Sequence, residues 1–247
     1  YCSYYLYTQM VYMCCRHSAN KGKDMKRTIG FFGDSFCATR YSLSFNYKTY
    51  ISMLSDYYNA KIVNLGEGGS SIGDLILLQL APFIQKNNVP DICVFVWTDP
   101  QRLFHRSIRN LNWGSVQSNT KRSKVRESAR DYYTYLNDWE FTELQYLALL
   151  EHVDNNVLPK LPAKTKIVHL WSFGMPKDWN TAEFKSNNLE YFYTWKNGAE
   201  VRPALMSVSM MDNPLDNIVN DRGPNHLSNK LKNELVFNYI KAAIDSQ

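Results

Sequence analysis

The sequence predicts a three-layer α/β fold, in which helices cover both faces of a parallel sheet of about five strands. Two observations lead to this prediction. Strand-like apolar runs alternate with segments of helical spacing along the chain, an order typical of parallel sheets. The run at 92–97 is almost wholly apolar, as expected for a central strand buried on both faces. A length of 247 residues suits one well-buried domain.

Five segments are predicted to form the strands of this sheet, at residues 28–32, 61–65, 92–97, 166–171 and 201–208. A polar, basic stretch at 100–138 shows no clear period. We interpret it as an insertion over the mouth of the sheet, with a short helix near its end. Residues 172–200 form a second irregular excursion, which is rich in aromatic residues.

The first two helices have identifiable ends. Apolar residues recur at helical spacing between 43 and 58, and Asn59 is a suitable C-terminal stop. The second helix is predicted to begin near Ser71, because Asp74 three residues later completes a capping box. Pro90 then prevents any continuation of this helix.

Two longer helices are predicted towards the end of the chain. One runs from Trp139 to about Val157 and is ended by the prolines that follow it. The last helix is predicted to begin at a Ser228 cap and to turn one apolar face towards the core. The residues predicted on this face are Leu231, Leu235, Tyr239 or Ile240, and Ala243.

Residues 1–24 are expected to lie outside the domain, which then covers 25–247. They show no apolar region followed by a small-residue cleavage site, so they make a poor signal peptide. The run from Tyr1 to Cys15 is too short and too rich in tyrosine to span a membrane. We interpret this segment as upstream translation or as a tail.

Charge and cysteine content argue against several classes of protein. The net charge of +5 is small and its basic runs are scattered, so no nucleic-acid or membrane partner is predicted. The five cysteines show neither a disulfide pattern nor the spacing of a zinc site. This predicts no structural metal and favours a reducing, cytoplasmic compartment. Cys37 and Cys93 are expected to be buried thiols, and His169 a core histidine; the oligomeric state stays open.

Polar segments follow three of the predicted strands, and a fourth precedes the last helix. They lie at 33–36, 64–71, 97–100 and 221–228. The carboxyl ends of parallel strands meet at one edge of a sheet, where ligands bind in open α/β folds. We therefore expect the Ser35 hydroxyl, glycine N–H groups of the second segment, a polar side chain and the His226 imidazole to surround one cleft.

The order of these segments resembles the SGNH hydrolases, the superfamily of GDSL-type esterases and lipases, over nearly the whole chain outside residues 1–24. The Gly-Asp-Ser run that ends at Ser35 is similar to the family's nucleophile block. Asn64 and Gly69 keep the spacing of its second block, and His226 stands in the place of its catalytic histidine. The resemblance implies a flavodoxin-like sheet, Ser35 as nucleophile and His226 as general base. It also implies an oxyanion hole formed by the N–H groups of Ser35 and Gly69.

Two positions depart from the family's pattern. Thr98 stands where the family has an asparagine that donates to the oxyanion, so the Thr98 hydroxyl is expected to be a third, shorter donor. Gly223 stands where the family has the acid of its triad. Asp221 is the nearest acid upstream and is expected to orient His226, although a Ser–His dyad helped by a backbone carbonyl stays open.

The chemistry implied by this resemblance is hydrolysis of a carboxylic ester through an acyl-enzyme. A serine hydroxyl becomes a nucleophile when an imidazole takes its proton, and preorganised donors stabilise the oxyanion. No metal or organic cofactor is needed, and the expected substrate is a short acyl ester or an O-acetylated sugar. Two alternatives stay open. One is a catalytically degenerate module with a glycan-binding or structural role, and the other is acyl transfer to a sugar by the same residues.

The glycine-rich segment also has a second interpretation. Gly66, Gly68 and Gly69 precede a predicted helix, and such a loop can bind phosphate at a helix N-terminus. Their spacing differs from the dinucleotide and P-loop fingerprints, so the role in an oxyanion hole is preferred.

Overall fold

A computed structural model describes residues 27–38, 47–118, 123–173 and 230–247. It also describes the isolated positions Lys196–Asn197, Glu200–Val201, Leu205 and Leu227. Residues 1–24, Asp221, His226 and Ser228, to which the sequence assigns roles, lie outside the described residues.

The centre of the molecule is a four-stranded parallel sheet, which confirms the predicted α/β class. Its strands are β1 (Arg27–Gly33), β2 (Ala60–Asn64), β3 (Ile92–Trp97) and β4 (Lys166–Trp171). They lie in the order β2-β1-β3-β4, and every pairing is parallel. The order reverses between β1 and β3, so the ligand-binding crevice of such a sheet is expected where these two strands end.

The predicted fifth parallel strand at 201–208 is wrong for the residues described there. Glu200–Val201 (β6) pairs antiparallel with Lys196–Asn197 (β5) in a separate ribbon, and Leu205 is helical. Pro203 offers no N–H to a sheet ladder, which argues against a central strand at this point.

Helices pack on both faces of the sheet. On one face lie α1 (Tyr50–Tyr58) and α6 (Lys230–Asp245), which bury one set of alternating strand residues. On the other lie α2 and α5. The second helix, α2, begins as Ile72–Asp74, widens into the π-helical stretch Leu75–Leu80 and closes at Ala81–Gln85. The fifth, α5, spans Trp139–His152 and continues through π-helical and 3₁₀ turns to Lys160.

The predicted stop of α1 and the predicted start of α2 are confirmed, but helical spacing was predicted from residue 43, whereas α1 begins only at Tyr50, after the N-cap Thr49. Asn59 closes α1 in the left-handed conformation (φ 49°), which asparagine tolerates better than most residues. The side chain of Ser71 accepts from the N–H of Asp74, and the Asp74 side chain accepts from the N–H of Ser71. This is the capping box predicted from the sequence, and it fixes where the glycine-rich segment ends.

The predicted apolar face of α6 is wrong at its first residue. Leu231 is 71% exposed, whereas Asn233 is buried among the polar groups that begin the helix. Further along, Val236, Ile240 and Ile244 face the core at i, i+4 and i+8. Tyr239 and Ala243 lie in the same buried cluster and Leu235 packs against it, so the rest of the predicted face is confirmed, and only the first turn differs because a buried asparagine rather than a leucine anchors it.

The insertion predicted at 100–138 contains more structure than its sequence indicated. It forms α3 (Trp113–Ser118) and α4 (Lys124–Asp131), the latter continuing as the π-helical Tyr132–Leu136. A small core of its own joins Leu111, Val116, Ala129 and Tyr133. No helix within the described segments is long and apolar enough to cross a bilayer.

Candidate active site

Ser35 lies in a tight turn directly after β1. Asp34 Oδ1 accepts the N–H of Phe36 at 3.1 Å, and the Asp34 carbonyl accepts the N–H of Cys37 at 3.2 Å. Gly33 has φ 155°, and a Cβ at this position would overlap the Val96 carbonyl of β3. Glycine is thus required where β1 leaves the sheet, and Ser35 is held at the carboxyl edge beside β3 with 8% of its surface exposed.

The glycine-rich loop at 64–71 packs directly on this turn. Asn64 bridges the two, because its Oδ1 accepts the N–H of Gly66 at 2.8 Å and its Nδ2 donates to the carbonyl of Cys37. A Cβ on Gly66 would overlap the Cys37 sulfur. Gly69 has φ 80° and is backed by Asn110, whose N–H donates to the Gly69 carbonyl at 2.9 Å. Asn64 therefore positions the loop that carries Gly69.

Gln79 is a buried side chain that sequence reasoning missed. Its Oε1 accepts the N–H of Gly33 at 2.6 Å, while its Nε2 donates to the Gly33 carbonyl at 2.9 Å and to Ser70 Oγ at 3.2 Å. From the π-helical part of α2 it thus joins the end of β1 to the glycine-rich loop. The signal in the sequence was a single polar residue inside the apolar run Leu75–Leu80.

Thr98, predicted as an oxyanion donor, directly follows β3 and contacts the residue before Ser35. Its hydroxyl donates to Asp34 Oδ2 at 3.1 Å. A hydroxyl has one proton to donate, so in this arrangement the Thr98 proton faces a carboxylate. Its role at an oxyanion stays a prediction that would require this hydroxyl to rotate.

The Asp34 carboxylate is completely buried and paired with Arg102, whose Nη1 lies 3.2 Å from Asp34 Oδ2. Burial raises the pKa of Asp34 above its ordinary value. The charge of Arg102 is the strongest influence against this rise, followed by the N–H of Phe36 and the hydroxyls of Ser172 and Thr98. Sequence reasoning missed Arg102, because an arginine within a basic, polar stretch carries no distinguishing pattern.

The insertion forms one wall of the site through Arg109. Its guanidinium lies 3.4 Å from Glu67, within the glycine-rich loop, and 3.2 Å from Asp74, in the first turn of α2, so it joins both to the insertion. Burial raises the pKa of Asp74, against the effect of its Ser71 hydrogen bonds and of Arg109. The loop around Gly69 is therefore held from the insertion as well as from the sheet.

Three predicted site residues are thus brought to one edge of the sheet. Ser35, Gly69 and Thr98 follow β1, β2 and β3, and hydrogen bonds through their neighbours join all three segments. Asp221 and His226 lie outside the described residues, so their roles stay predictions. The first described residue after them is Leu227, which is 6% exposed and belongs to the same buried cluster as Phe36.

The remaining predicted side chains are structural. His169 Nδ1 accepts from Trp97 Nε1 at 3.0 Å, and its ring is stacked on those of Phe95 and Trp97. Burial lowers the pKa of His169 to about 3, so this residue is a neutral core histidine, as predicted. Cys37 and Cys93 are free and buried, and burial raises the pKa of both thiols. Among the described residues, no cluster of histidine, cysteine or acidic side chains has a metal-binding arrangement.

No protein-family model and no curated protein matches this chain. Solved structures of distant sequence are similar to it. The psychrotrophic esterase EstA from Pseudoalteromonas sp. is 13% identical, with 89% of this chain and 97% of that chain covered and a TM-score of 0.43. A protein assigned as a GDSL-like lipase from Parabacteroides merdae is 14% identical, with 92% and 99% covered and a TM-score of 0.44.

A third structure, the acetyl xylan esterase AlAXEase, is 15% identical, with 88% of this chain and 99% of that chain covered and a TM-score of 0.39. Two of the three are esterases and one is described as a GDSL-like lipase, the type whose motifs this chain resembles. Likeness at this level carries no argument about a reaction, so an activity must be inferred from the residues of this chain.

Proposed function

We propose that this protein is a serine hydrolase of the SGNH type, which cleaves a short acyl ester or an O-acetylated sugar. The observation that carries the proposal is the packing of the Ser35 turn on the Gly69 loop where β1 and β3 end. This is the edge at which parallel α/β sheets bind ligands. A hydroxyl and the N–H groups of a glycine-rich loop at such an edge suit attack on a carbonyl carbon.

A chain of hydrogen bonds supports the proposed role of His226. The Tyr50 hydroxyl donates to the carbonyl of Phe36 at 2.9 Å, next to Ser35. The N–H of Tyr50 donates to Asn233 Oδ1 at 3.0 Å, and Asn233 Nδ2 donates to the carbonyl of Leu227 at 3.0 Å. The residues that directly follow the proposed nucleophile and the proposed base are therefore anchored through α1 and α6, which favours a meeting of the two groups.

The proposed reaction proceeds in two halves. Ser35 Oγ attacks the ester carbonyl while His226 takes the hydroxyl proton, and the N–H groups of Ser35 and Gly69 stabilise the oxyanion. When the carbon–oxygen bond to the alcohol breaks, His226 returns the proton to the leaving alcohol. Water then attacks the acyl-serine with His226 again as base, which releases the acid and restores Ser35. Asp221 is proposed to orient His226 throughout.

The test is covalent labelling of Ser35. A fluorophosphonate probe should label the protein stoichiometrically, and p-nitrophenyl acetate should be hydrolysed. Both should be lost in Ser35→Ala and in His226→Ala, and kept in Ser118→Ala, a control at an exposed helical serine. Folded protein that neither reacts with the probe nor turns over the ester would overturn the proposal.

A non-catalytic, glycan-binding module is the second candidate. The observation that favours it is the Thr98 hydroxyl, which donates to Asp34 rather than facing free space. If the Thr98 hydroxyl serves only to hold the fold together, the site has one oxyanion donor fewer than the proposed reaction uses. Losing such a donor typically costs about 10²–10³-fold in rate. Binding of an acetylated oligosaccharide that survives Ser35→Ala, without turnover, would support this candidate.

A further inference from the structure

Arg102 is a buried charge at the site for which the proposed reaction has no step. It follows β3 by five residues, at the start of the insertion, and its side chain is 3% exposed. Its Nη1 donates to Asp34 Oδ2 at 3.2 Å and to the carbonyl of Ser70 at 3.1 Å. A guanidinium is rarely buried to this degree without a specific set of partners, so the identity of these partners is informative.

The two partners are the neighbours of the proposed oxyanion donors. Asp34 directly precedes Ser35, and Ser70 directly follows Gly69. One nitrogen atom therefore ties the turn that carries the Ser35 N–H to the loop that carries the Gly69 N–H. Asn64, Gln79 and the N–H of Glu67 also join the two segments, but they bond to Cys37, Gly33 and the Ser70 side chain. Arg102 differs from them because it bonds to the side chain of Asp34, directly before Ser35, and to the backbone of Ser70, directly after Gly69.

The Arg102 guanidinium also packs against an aromatic ring that belongs to neither of the two segments it joins. Its Cζ lies 4.8 Å from the ring centroid of Phe173, after β4, and that ring contacts Phe36 edge-on at 5.9 Å. Stacking of this kind fixes the plane of an arginine. The Nε of Arg102 is buried without a partner among the described residues, a cost that an apolar side chain of similar length would avoid. Packing alone therefore gives no reason for an arginine here.

We propose that Arg102 is a positioning residue that sets the separation of the Ser35 and Gly69 N–H groups. This inference rests on the proposed ester hydrolysis. Oxyanion donors must reach the developing charge at hydrogen-bond distance, and a displacement of about 1 Å can cost on the order of 10²-fold in rate. Loss of Arg102 is therefore expected to lower kcat by about 10²-fold and to leave KM within about threefold, because ground-state binding does not use the oxyanion donors.

Three variants separate positioning from charge neutralisation. Arg102→Met leaves the Asp34 carboxylate buried without its cation, so both Tm and kcat should fall. Asp34→Asn keeps only one acceptor oxygen, which can serve either Arg102 or the N–H of Phe36, so kcat should fall, but by clearly less than in the double variant. The double variant Asp34→Asn, Arg102→Met has no buried charge, so Tm should recover towards that of Asp34→Asn while kcat stays about 10²-fold low.

Two results would overturn the inference. Recovery of kcat together with Tm in the double variant would mean that Arg102 merely neutralises Asp34. If Asp34→Asn alone had a kcat as low as that of the double variant, the loss of kcat would be due to removing the Asp34 charge and not to removing the Arg102 side chain.

Failure of the proposed function would look different, since wild-type protein would then show no Ser35-dependent turnover. In that case amide hydrogen exchange measures the tie itself. The tie is supported if amide exchange at both 33–38 and 65–71 is faster in the double variant than in Asp34→Asn, while exchange in β4 is the same in the two proteins. Unchanged exchange in these two segments overturns it.

Discussion

The side chain of Asn233 holds the backbone of Tyr50, with 3.0 Å between Asn233 Oδ1 and the Tyr50 nitrogen. This bond joins the first turn of α6 to the first turn of α1, across 183 residues of sequence. The same side chain holds Leu227 in place through its Nδ2. Leu227, the residue after His226, is therefore joined through the buried Asn233 amide to the helix whose first residue also bonds to Phe36, next to Ser35.

Asn233→Leu tests this attachment. The change keeps the size of the side chain but leaves the Tyr50 N–H without the Asn233 oxygen, and the Leu227 carbonyl keeps only the Tyr47 hydroxyl at 3.2 Å. A buried unsatisfied group costs about 1–3 kcal/mol, so we expect the free energy of unfolding to fall by about 1–3 kcal/mol in urea titrations, together with a loss of kcat. Leu231→Asn, an exposed position two residues earlier, should change the unfolding free energy by less than about 0.5 kcal/mol. Equal effects of both changes would contradict the role of Asn233.

Gly33→Ala should be strongly destabilising. The new methyl group would overlap the Val96 carbonyl and Cβ, so β1 or β3 must shift at the edge that carries Ser35. Overpacking against backbone typically costs about 1–3 kcal/mol, to which the unfavourable φ adds. Thermal unfolding measures the loss.

Gly114→Ala in α3 is the matched control for that change. A Cβ at Gly114 meets nothing closer than Asn112 Oδ1 at 4.0 Å. Alanine in a helix is favoured over glycine by about 0.5–1 kcal/mol, so this variant should be as stable as wild type or more so. If Gly33→Ala had the same Tm as Gly114→Ala, the end of β1 would tolerate a side chain.

Gln79→Met should weaken the joint between β1 and the glycine-rich loop. Methionine fills the same space but leaves the Gly33 N–H without the Gln79 oxygen, and the Gly33 carbonyl keeps only the N–H of Glu67 at 3.2 Å. We expect a loss of about 1–3 kcal/mol in the free energy of unfolding and faster amide exchange at 33–38. Gln85→Met, at an exposed position near the end of the same helix, is the control and should be nearly neutral.

The stability of the protein should fall in acid partly because of His169. Its pKa is lowered to about 3 in the folded state against about 6.5 in the unfolded chain, so the unfolded state binds more protons between these values. Its contribution is complete above about pH 6.5 and is lost as the pH falls towards 3. At pH 4.5 the loss amounts to roughly 3 kcal/mol by the standard linkage of 1.36 kcal/mol per pKa unit.

His169→Gln is the variant that isolates this effect. Glutamine can still accept from Trp97 Nε1 but does not titrate. The difference in unfolding free energy between wild type and variant, measured in urea at pH 7.5 and pH 4.5, should shift by roughly 3 kcal/mol in favour of the variant at the lower pH. A difference independent of pH would contradict the lowered pKa.

Local signals in the sequence predicted most of the sheet and the helix ends that border the site. β3 and β4 lie at the predicted residues, and β1 and β2 within one residue at each end. These strands are apolar runs bounded by turn residues, and the Ser71 box and the Asn59 stop are local chemistry that acts within one helical turn. Because these signals act between residues close together in sequence, they predict the local structure without knowledge of the tertiary contacts.

Signals that depend on partners far along the chain were missed. Periodicity predicted the core face of α6 correctly from Leu235 onward, but Leu231 is exposed and the first turn is anchored by Asn233, which bonds to Tyr50. The segment at 201–208 has a strand-like composition, yet β6 pairs with β5 in a separate ribbon and Leu205 is helical. The roles of Gln79 and Arg102 likewise arise from the backbone groups that the fold brings to them.

The sequence alone determined that this chain alternates strands and helices, and that a serine, a glycine-rich loop and a threonine follow consecutive strands of one parallel sheet. The tertiary structure decided the strand order, and with it the packing of the turn that carries Ser35 against the loop that carries Gly69 at one edge of the sheet. It also decided that the Thr98 hydroxyl and the Arg102 guanidinium both contact Asp34. The physical reason is that apolar periodicity and capping act between near neighbours, whereas a buried hydrogen bond depends on whichever donor and acceptor the completed fold places within about 3 Å of each other.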